Sequence, residues 1–407
     1  MRTSDVTEEI VRWSRSAPDA AAVRFLLSPK AHTAASTGPA SRLWRSAVDR
    51  HLTPVLHRVV AGGKLDRADV AALTVPDPLS EPFTVDQPTG GAPGSVDERI
   101  ALLRRAYGPF AAWWGRYFAG NGDQPVPVTD LWRLYLPFAC WIVAAKRRRR
   151  PGELFVVGFN GSPGAGKTVL STALAVLLDV LLDPVTEGRA VARSGDDWYL
   201  PRADREPLRA LGYDAGVPGV TNRSGPGTHD LAWLRRNLAE LERSGPTSGV
   251  IRMGNFDKKA DDQPTGPDRY FEVRGRVGVF LFDLWFAGAE TDIDPELLPD
   301  GLRRRVAEHL RQWRPVFDRM DALWSFEWPS FAQMVNDREA QEVLVERRRG
   351  TRGMSTEQIR AFMTYMIERT WDWRTTSPVP PGHAVTFHAR RATDHRIIAV
   401  QRGGRAS

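Results

Sequence analysis

One cysteine in 407 residues, Cys140, excludes an internal disulfide and any cysteine-rich metal centre, and the scarcity points to a reducing compartment, with the cytoplasm as the expected location. The chain also lacks a run of apolar residues long enough to cross a membrane. Its most apolar stretch, Leu131 to Ala145, carries Arg133 and Pro137 and falls short of the ~20 residues a span requires, so it reads as a buried helix. Nor does the N-terminus have the basic, apolar, small-residue order of a secretory signal, because Asp5, Glu8 and Glu9 come early. No internal repeat is visible. Acidic residues are outnumbered, 49 against 56 Lys and Arg, for a net charge of +7. That balance permits nucleic-acid contact and fits a small anionic substrate equally well. With 42% hydrophobic and 26% charged residues, disordered and collagen-like classes drop out.

Residues 4 to 28 are expected to be helical, from a capping-box pattern of Asp5 and Glu8 followed by Ile10, Val11, Trp13 and later Phe25, Leu26 and Leu27 at helical spacing. Leu43 to Val60 repeats the pattern. Val75 to Gly94, rich in Pro, Gly and Asp, reads as a linker or long surface loop. Ser95 and Glu98 cap a helix over 96 to 118 whose stripe of Ile100, Leu103, Phe110, Trp113 and Trp114 is read as core rather than as a cofactor site. Thr129 or Asp130 is expected to cap Leu131 to Ala145, and the run Lys146 to Arg150 is read as its solvated end, where positive charge complements the helix dipole. From 152 onward, strand-like runs at 154–159, 189–194, 249–253, 277–282 and 321–326 alternate with helical segments. That alternation predicts an α/β fold, a parallel sheet with helices on both faces, in a domain over 126–407 preceded by a helical extension over 1–125.

The stretch Gly161-Ser162-Pro163-Gly164-Ala165-Gly166-Lys167-Thr168 follows the first apolar run and opens a helical segment at Val169, the order of strand, phosphate loop, helix. Glycines let successive N–H groups and the helix N-terminus converge on a polyphosphate, with Lys167 reaching the β- and γ-phosphates and Thr168 offering a hydroxyl to Mg²⁺. Ligands on parallel sheets sit beyond the carboxyl ends of the strands. Ser194-Gly195-Asp196-Asp197-Trp198-Tyr199 closes the second strand-like run and so faces the same crevice. Its acids read either as a proton acceptor and Mg²⁺ partner or as a helix-capping pair.

These segments, with Gly225-Pro226-Gly227-Thr228-His229-Asp230-Leu231, resemble the D-glycerate 3-kinase family of P-loop kinases, relatives of uridine kinase, phosphoribulokinase and pantothenate kinase. Phe256-Asp257-Lys258 stands where that family has Tyr-Asp-Lys, and Gly266-Pro267-Asp268-Arg269 is similar to its Gly-Asp-Arg. Phe282-Asp283-Leu284-Trp285 lies where it has Phe-Glu-Gly-Trp. The segment from Arg338 to Glu342 and the turn Gly353-Met354-Ser355 resemble a lid helix and the turn after it, a lid spanning about 330–355. The likeness covers 131 to 375 and implies the P-loop kinase fold, ATP and Mg²⁺ as cofactors, and a small molecule with a free hydroxyl as acceptor.

The resemblance implies Asp196 as general base and Asp283 as the acid holding Mg²⁺ or its water, two roles that could exchange. Asp197, Tyr199, Arg223, His229, Asp257, Lys258 and Arg269 fall in segments it places around the acceptor, and Lys258 and Arg269 suit a carboxylate there. Asp230 doubles as a cap for the helix from Leu231. Arg338 and Arg347, with Arg348 and Arg349, lie on the lid, where one or two would swing onto the transferring phosphoryl group and the rest form a solvated face. Leu284 in place of glycine is expected to reshape the pocket wall, and Lys259 and Gln263-Pro264-Thr265 alter the neighbouring loop. The first reading is therefore a kinase of D-glycerate or a similar hydroxy acid. The second is a kinase of a nucleoside, sugar or other intermediate, and a nucleic-acid-linked NTPase ranks last because no aromatic-and-basic interleaving of a single-strand channel is present.

Overall fold

The computed structural model describes residues 3–37, 40–84, 95–120, 124–217, 222–223, 225–298, 300–350, 354–370, 373 and 378–403. The chain divides into two compact units. One comprises Met1–Pro151, Thr172–Leu182 and Phe387–Arg402, the other Gly152–Ser171, Asp183–Thr386 and Gly403–Ser407.

The second unit is built on four parallel strands, β1 (Phe155–Asn160), β2 (Arg189–Ser194), β5 (Val277–Asp283) and β6 (Ala322–Phe326), in the order β2-β5-β1-β6. Every residue of β1, β5 and β6 is buried, which is why these segments are continuous apolar runs rather than alternating ones. β2 closes one side of the row and is exposed at Arg189. The run at 249–253 does not join this row. Its core becomes β3 (Ile251–Met253), which pairs antiparallel with β4 (Phe271–Val273) in a separate two-stranded ribbon. Exposed Arg252, paired across to Glu272 at 3.3 Å, makes the segment one-sided and unfit for a doubly covered sheet. The helices are stopped and started by their caps: Asp230 for Leu231–Glu242, Asp300 for Gly301–Arg311, Ser330 for Phe331–Arg349, and a Ser355/Gln358 capping box for Thr356–Thr364. Beneath them lies an aromatic core in which Phe286 stands edge-on to Trp313, with ring centres 5.0 Å apart.

The first unit is helical, with Ser41–Val60 and Val96–Tyr117 as its long members. The expected single helix over residues 4 to 28 is broken. Thr3–Arg15 ends before Pro18, Asp19 caps Ala20–Leu26, and Pro29 opens a further helix to Thr37. Asp5 lies inside the first turn rather than capping it. The box of Ser95 and Glu98 forms as expected. Thr129 and Asp130 do not cap: the apolar helix starts at Val128, passes through a π-turn over Leu131–Tyr135 and runs to Arg149. This helix, Val128–Arg149, has the length and composition of a span, yet 78% of its apolar window is buried, the behaviour of a core helix. Residues 85–94 of the proline-rich linker lie outside the described residues. A hairpin unmarked in the sequence, formed by β7 (Val385–Arg391) and β8 (Ile397–Arg402), is clipped to Ser41–Val60 by Arg45 with Asp394 at 2.8 Å and by Arg396 with Asp49 at 2.5 Å.

Arg133, on the π-turn, is 4% exposed and meets Asp77 through two hydrogen bonds, at 2.6 and 3.0 Å. Asp77→Ala should therefore destabilise the protein by about 3–5 kcal/mol, because it leaves a guanidinium buried without its counter-ion. Urea unfolding measures this. A loss below ~1 kcal/mol would show that the buried charge does not depend on the pair.

Candidate active site

Three strand ends meet at one place, all in the second unit. The parallel register sets Ser194 of β2 beside Asp283 of β5, and Phe159 of β1 on the other side of the same residue. The Ser194 hydroxyl donates to Asp283 Oδ1 at 2.9 Å. Beyond Ser194 a 3₁₀ turn, Gly195–Trp198, is capped reciprocally: Ser194 Oγ accepts from the Asp196 N–H, and Asp197 accepts from the Ser194 N–H at 3.1 Å. The two readings of the acidic pair thus divide between its members, since Asp197 closes the turn and is held by Arg193 at 3.0 Å. Asp196 instead meets the Lys258 ammonium at 2.7 Å.

The loop after β1 turns on glycines at φ values of 148°, 79° and 95° for Gly161, Gly164 and Gly166. Space demands the first two as well. A Cβ at Gly161 would lie 2.8 Å from Phe326 Cβ, and one at Gly164 3.1 Å from Asp337 Cβ on the helix Phe331–Arg349. Lys167 opens the helix Lys167–Leu181, and its buried ammonium turns back to donate to the carbonyls of Gly161 at 2.7 Å and Ser162 at 3.0 Å. Among the described residues the buried Ser162 hydroxyl has no hydrogen-bond partner. A folded-back loop, a caged ammonium and an unsatisfied hydroxyl at a helix N-terminus are the features a polyphosphate satisfies. Among the described residues no group of three or more His, Cys, Asp or Glu is arranged to hold a metal. The exposed Thr168 hydroxyl and the Asp283 carboxylate, oriented by Ser194, are oxygen donors of the kind that hold Mg²⁺ together with phosphate and water.

A parallel strand running into a glycine-turned lysine loop and a helix, flanked by β5 and β6, is a nucleotide-binding topology. No family model matches the chain. A curated relative from Schizosaccharomyces pombe, described as an uncharacterized kinase, is 25% identical over 240 residues, 54% of this chain and 82% of that protein. Among solved structures, D-glycerate 3-kinase from Cryptococcus neoformans aligns with a TM-score of 0.49 at 21% identity, over 66% of this chain and 98% of that one. Phosphoribulokinase from Rhodobacter spheroides aligns with a TM-score of 0.34 at 13% identity, over 60% of this chain and 73% of that one. The chain has an α/β fold in which a parallel strand runs into a glycine-turned lysine loop and a helix.

Within this α/β fold the remaining expected residues separate. Tyr199 and His229 stack with ring centres 4.3 Å apart, tied by the backbone bonds of Leu200 to Thr228 at 3.0 Å and of Asp230 to Trp198 at 2.7 Å. Arg223 and Lys258 stand together, since Arg223 donates to the Lys258 carbonyl at 3.1 Å. Arg338 bonds Gln341 and Glu342 and lies within electrostatic reach of Asp196 and Arg223, while its buried Nε–H has no acceptor among the described residues. Arg347 is exposed, the side chains of Arg348 and Arg349 and all of Gly353 lie outside the described residues, and Met354 packs on the core. Asp257 is a turn-former, accepting from the Lys259 N–H at 2.8 Å. Arg269 lies over the Tyr270 ring and lines a cavity of about 570 Å³ with Trp233, Arg236 and Gln263, a lining that includes none of Asp196, His229 or Lys258. Leu284 is 1% exposed and packs over Gly195, whose Cβ would stand 2.5 Å from the leucine Cδ1. Sequence reasoning missed Arg193, Arg205 and Asp261; the one available signal was a charged residue, Arg193, inside a strand run next to the acidic pair.

Burial and charge split the acids. Burial alone would raise Asp196, but the Lys258 ammonium, with His229 and Arg223 beyond it, holds it far below the usual carboxylate range. Burial pushes Asp197 up to about 6 in spite of Arg193, and Asp196 and Asp283 add like charge. Burial likewise raises Asp283 against the pull of Lys167. The Lys258 stem is half exposed, yet its ammonium stays charged among these three carboxylates although burial opposes it. Burial holds the His229 imidazole down at about 4 against the attraction of Asp196.

These shifts set opposite pH slopes. His229 titrates near 4 in the fold and near 6.5 unfolded, so the unfolded chain takes that proton first and stability falls as pH drops through this window. Asp197, at about 6 in the fold against 3.8 unfolded, takes its proton first when folded and adds stability over the lower part of the same range. His229→Phe should remove the first slope and leave the second. Relative to the parent, the variant should gain roughly 2 to 3 kcal/mol between pH 7 and pH 4.5 in urea unfolding. Parallel pH profiles would mean that His229 titrates alike in both states.

Proposed function

We propose that the chain is an ATP-dependent phosphotransferase that moves the γ-phosphate of ATP to a hydroxyl of a small anionic acceptor, with D-glycerate as the first candidate. One observation carries this reading: Lys167 of the phosphate loop, Asp283 and Asp196 share adjoining strand ends, and Arg223, Lys258 and Arg338 gather on the Asp196 side. The loop from Gly161 to Val169 would wrap the polyphosphate, Lys167 exchanging its two carbonyl partners for phosphate oxygens. Bound Mg²⁺ would neutralise charge on the transferring group. Asp283 is the better metal partner of the two acids, because it is buried, electrostatically coupled to Lys167 and oriented by Ser194. Asp196 remains ionised and sits among the cations suited to an acceptor carboxylate, which makes it the proton acceptor for the attacking hydroxyl. The Arg338 Nε–H on the helix Phe331–Arg349 would take an incoming anion, and that helix, resting on Gly164 through Asp337, would act as a lid.

Lys167→Ala should abolish phosphoryl transfer, read by coupled ADP release, with a thermal melt showing that the variant still folds; turnover within about threefold of the parent would overturn the nucleotide-site assignment. Asp196→Asn should lower kcat by roughly 10²-fold or more while the Mg²⁺ titration stays put, whereas Asp283→Asn should shift that titration. The reverse pattern would exchange the two roles. The acceptor is tested by ADP release with D-glycerate, other hydroxy acids, pantothenate, sugars and nucleosides, beside single-stranded DNA and RNA. A sugar or nucleoside turning over best would replace the hydroxy acid, and ATP hydrolysis stimulated by nucleic acid with no phosphorylated small molecule would overturn the kinase reading.

A further inference from the structure

Asp261 is a non-glycine residue in the left-handed region, at φ 54°, on the tip of the loop that begins with Lys258. It joins two arginines from separate segments. Arg205, fully buried at the end of the short helix Arg202–Arg205, reaches the Asp261 carboxylate at 3.1 Å and its carbonyl at 2.5 Å. Arg223, in the segment leading to His229, donates to Asp261 Oδ1 at 2.5 Å. Both guanidinium groups lie 5.4 Å from the centre of the Phe256 ring, so the cluster is layered on an aromatic face. Asn222 ties the two segments again, its side chain accepting from Arg205 at 3.0 Å and donating to the Arg205 carbonyl at 2.5 Å.

From this geometry we propose that Asp261 is a positioning residue: its carboxylate fixes Arg223, and Arg223, through the Lys258 carbonyl, fixes the loop that delivers the Lys258 ammonium to Asp196. The assignment rests on the phosphotransferase reading for its kinetic consequence and on packing alone for its structural one. The left-handed backbone is part of the device. It folds the loop back so that Asp257 and Asp262 bridge, at 2.9 Å from the Asp257 N–H to the Asp262 carbonyl, and carboxylate and carbonyl of Asp261 face the same arginine. Asp and Asn are among the few side chains that adopt this conformation readily. Loss of the carboxylate leaves Arg205 buried beside a missing charge and frees Arg223 from the acceptor side, while the phosphate loop, on a different strand end, keeps its contacts.

Asp261→Asn preserves the backbone and removes the charge, and Asp261→Gly preserves the backbone and removes the side chain. In both, KM for whichever panel acceptor the parent phosphorylates should rise at least about tenfold while KM for ATP stays within about twofold. An equal rise in both constants, or none in either, would overturn the proposal. A double-mutant cycle of Asp261→Ala with Arg223→Ala should be strongly non-additive in acceptor KM, and additivity would count against it. The activity-independent arm is amide hydrogen exchange of Asp261→Gly: residues 222–223 and 256–262 should accelerate together, with 155–160 unchanged. Acceleration confined to 256–262 overturns the clamp. If no panel member is phosphorylated by the parent, the kinase reading fails and the exchange result alone decides the clamp.

Discussion

The hydrogen bond from Ser194 to Asp283 is the joint on which the candidate site depends. It exists because β2 and β5 run parallel in a register that sets their last residues side by side, and because β5 is buried along its whole length. A slip of one residue would turn Asp283 to the opposite face and bury its carboxylate in the sheet. With the register fixed, Ser194 does two things at once: it orients Asp283 and caps the turn that carries Asp196 and Asp197. The placing of these three acids is thus a consequence of strand pairing, an interaction of backbones and apolar faces.

Crowding three carboxylates at strand ends would be prohibitive without cations, and each acid has its own. Asp197 has Arg193, Asp196 has Lys258, and Asp283 has the electrostatic influence of Lys167. The three outcomes differ because burial and partner distance differ. Lys258 at 2.7 Å, with His229 and Arg223 beyond it, overrides burial for Asp196, whereas burial with the like charge of its neighbours outweighs Arg193 for Asp197, and burial outweighs Lys167 for Asp283. One acid is therefore kept ionised beside two with raised pKa values.

The phosphate loop was legible because its backbone needs conformations that glycine alone supplies cheaply, and such a need is written in residue types. The strands β1, β5 and β6 were legible as continuous apolar runs. The segment at 249–253 carries the same local signal, and only its partner, the exposed ribbon strand Phe271–Val273, shows that it belongs elsewhere. Similarly, the hairpin Val385–Arg402 hides behind His388, Arg390 and Arg391, which alternate with buried Phe387 and Ala389. Among the site residues, sequence indicated which charges exist but not whom they meet. Arg269 and Arg223 look equivalent in the chain, yet one lies on Tyr270 beside a separate cavity and the other is held by Asp261 next to Lys258. Partner identity is a property of the loops folding against one another, which no local pattern encodes.

Leu284 shows how a departure from a family pattern can mislead when read alone. Where the D-glycerate 3-kinase pattern has glycine after its acid, a leucine suggests a reshaped acceptor wall. The side chain instead covers Gly195, the residue just before Asp196, and is 1% exposed. Leucine at one position thus fills the room that a glycine leaves at the other, and cores tolerate exchanges that keep total volume far better than a change at one site. Gly195, just before Asp196, therefore cannot gain a side chain while Leu284 is there. On the proposed reading, then, the objection that this substitution raises against a small hydroxy-acid acceptor loses its force. The groups that border Asp196 are instead those of the Arg223 and Lys258 loops and the stacked Tyr199 and His229 rings, which on that reading set the acceptor.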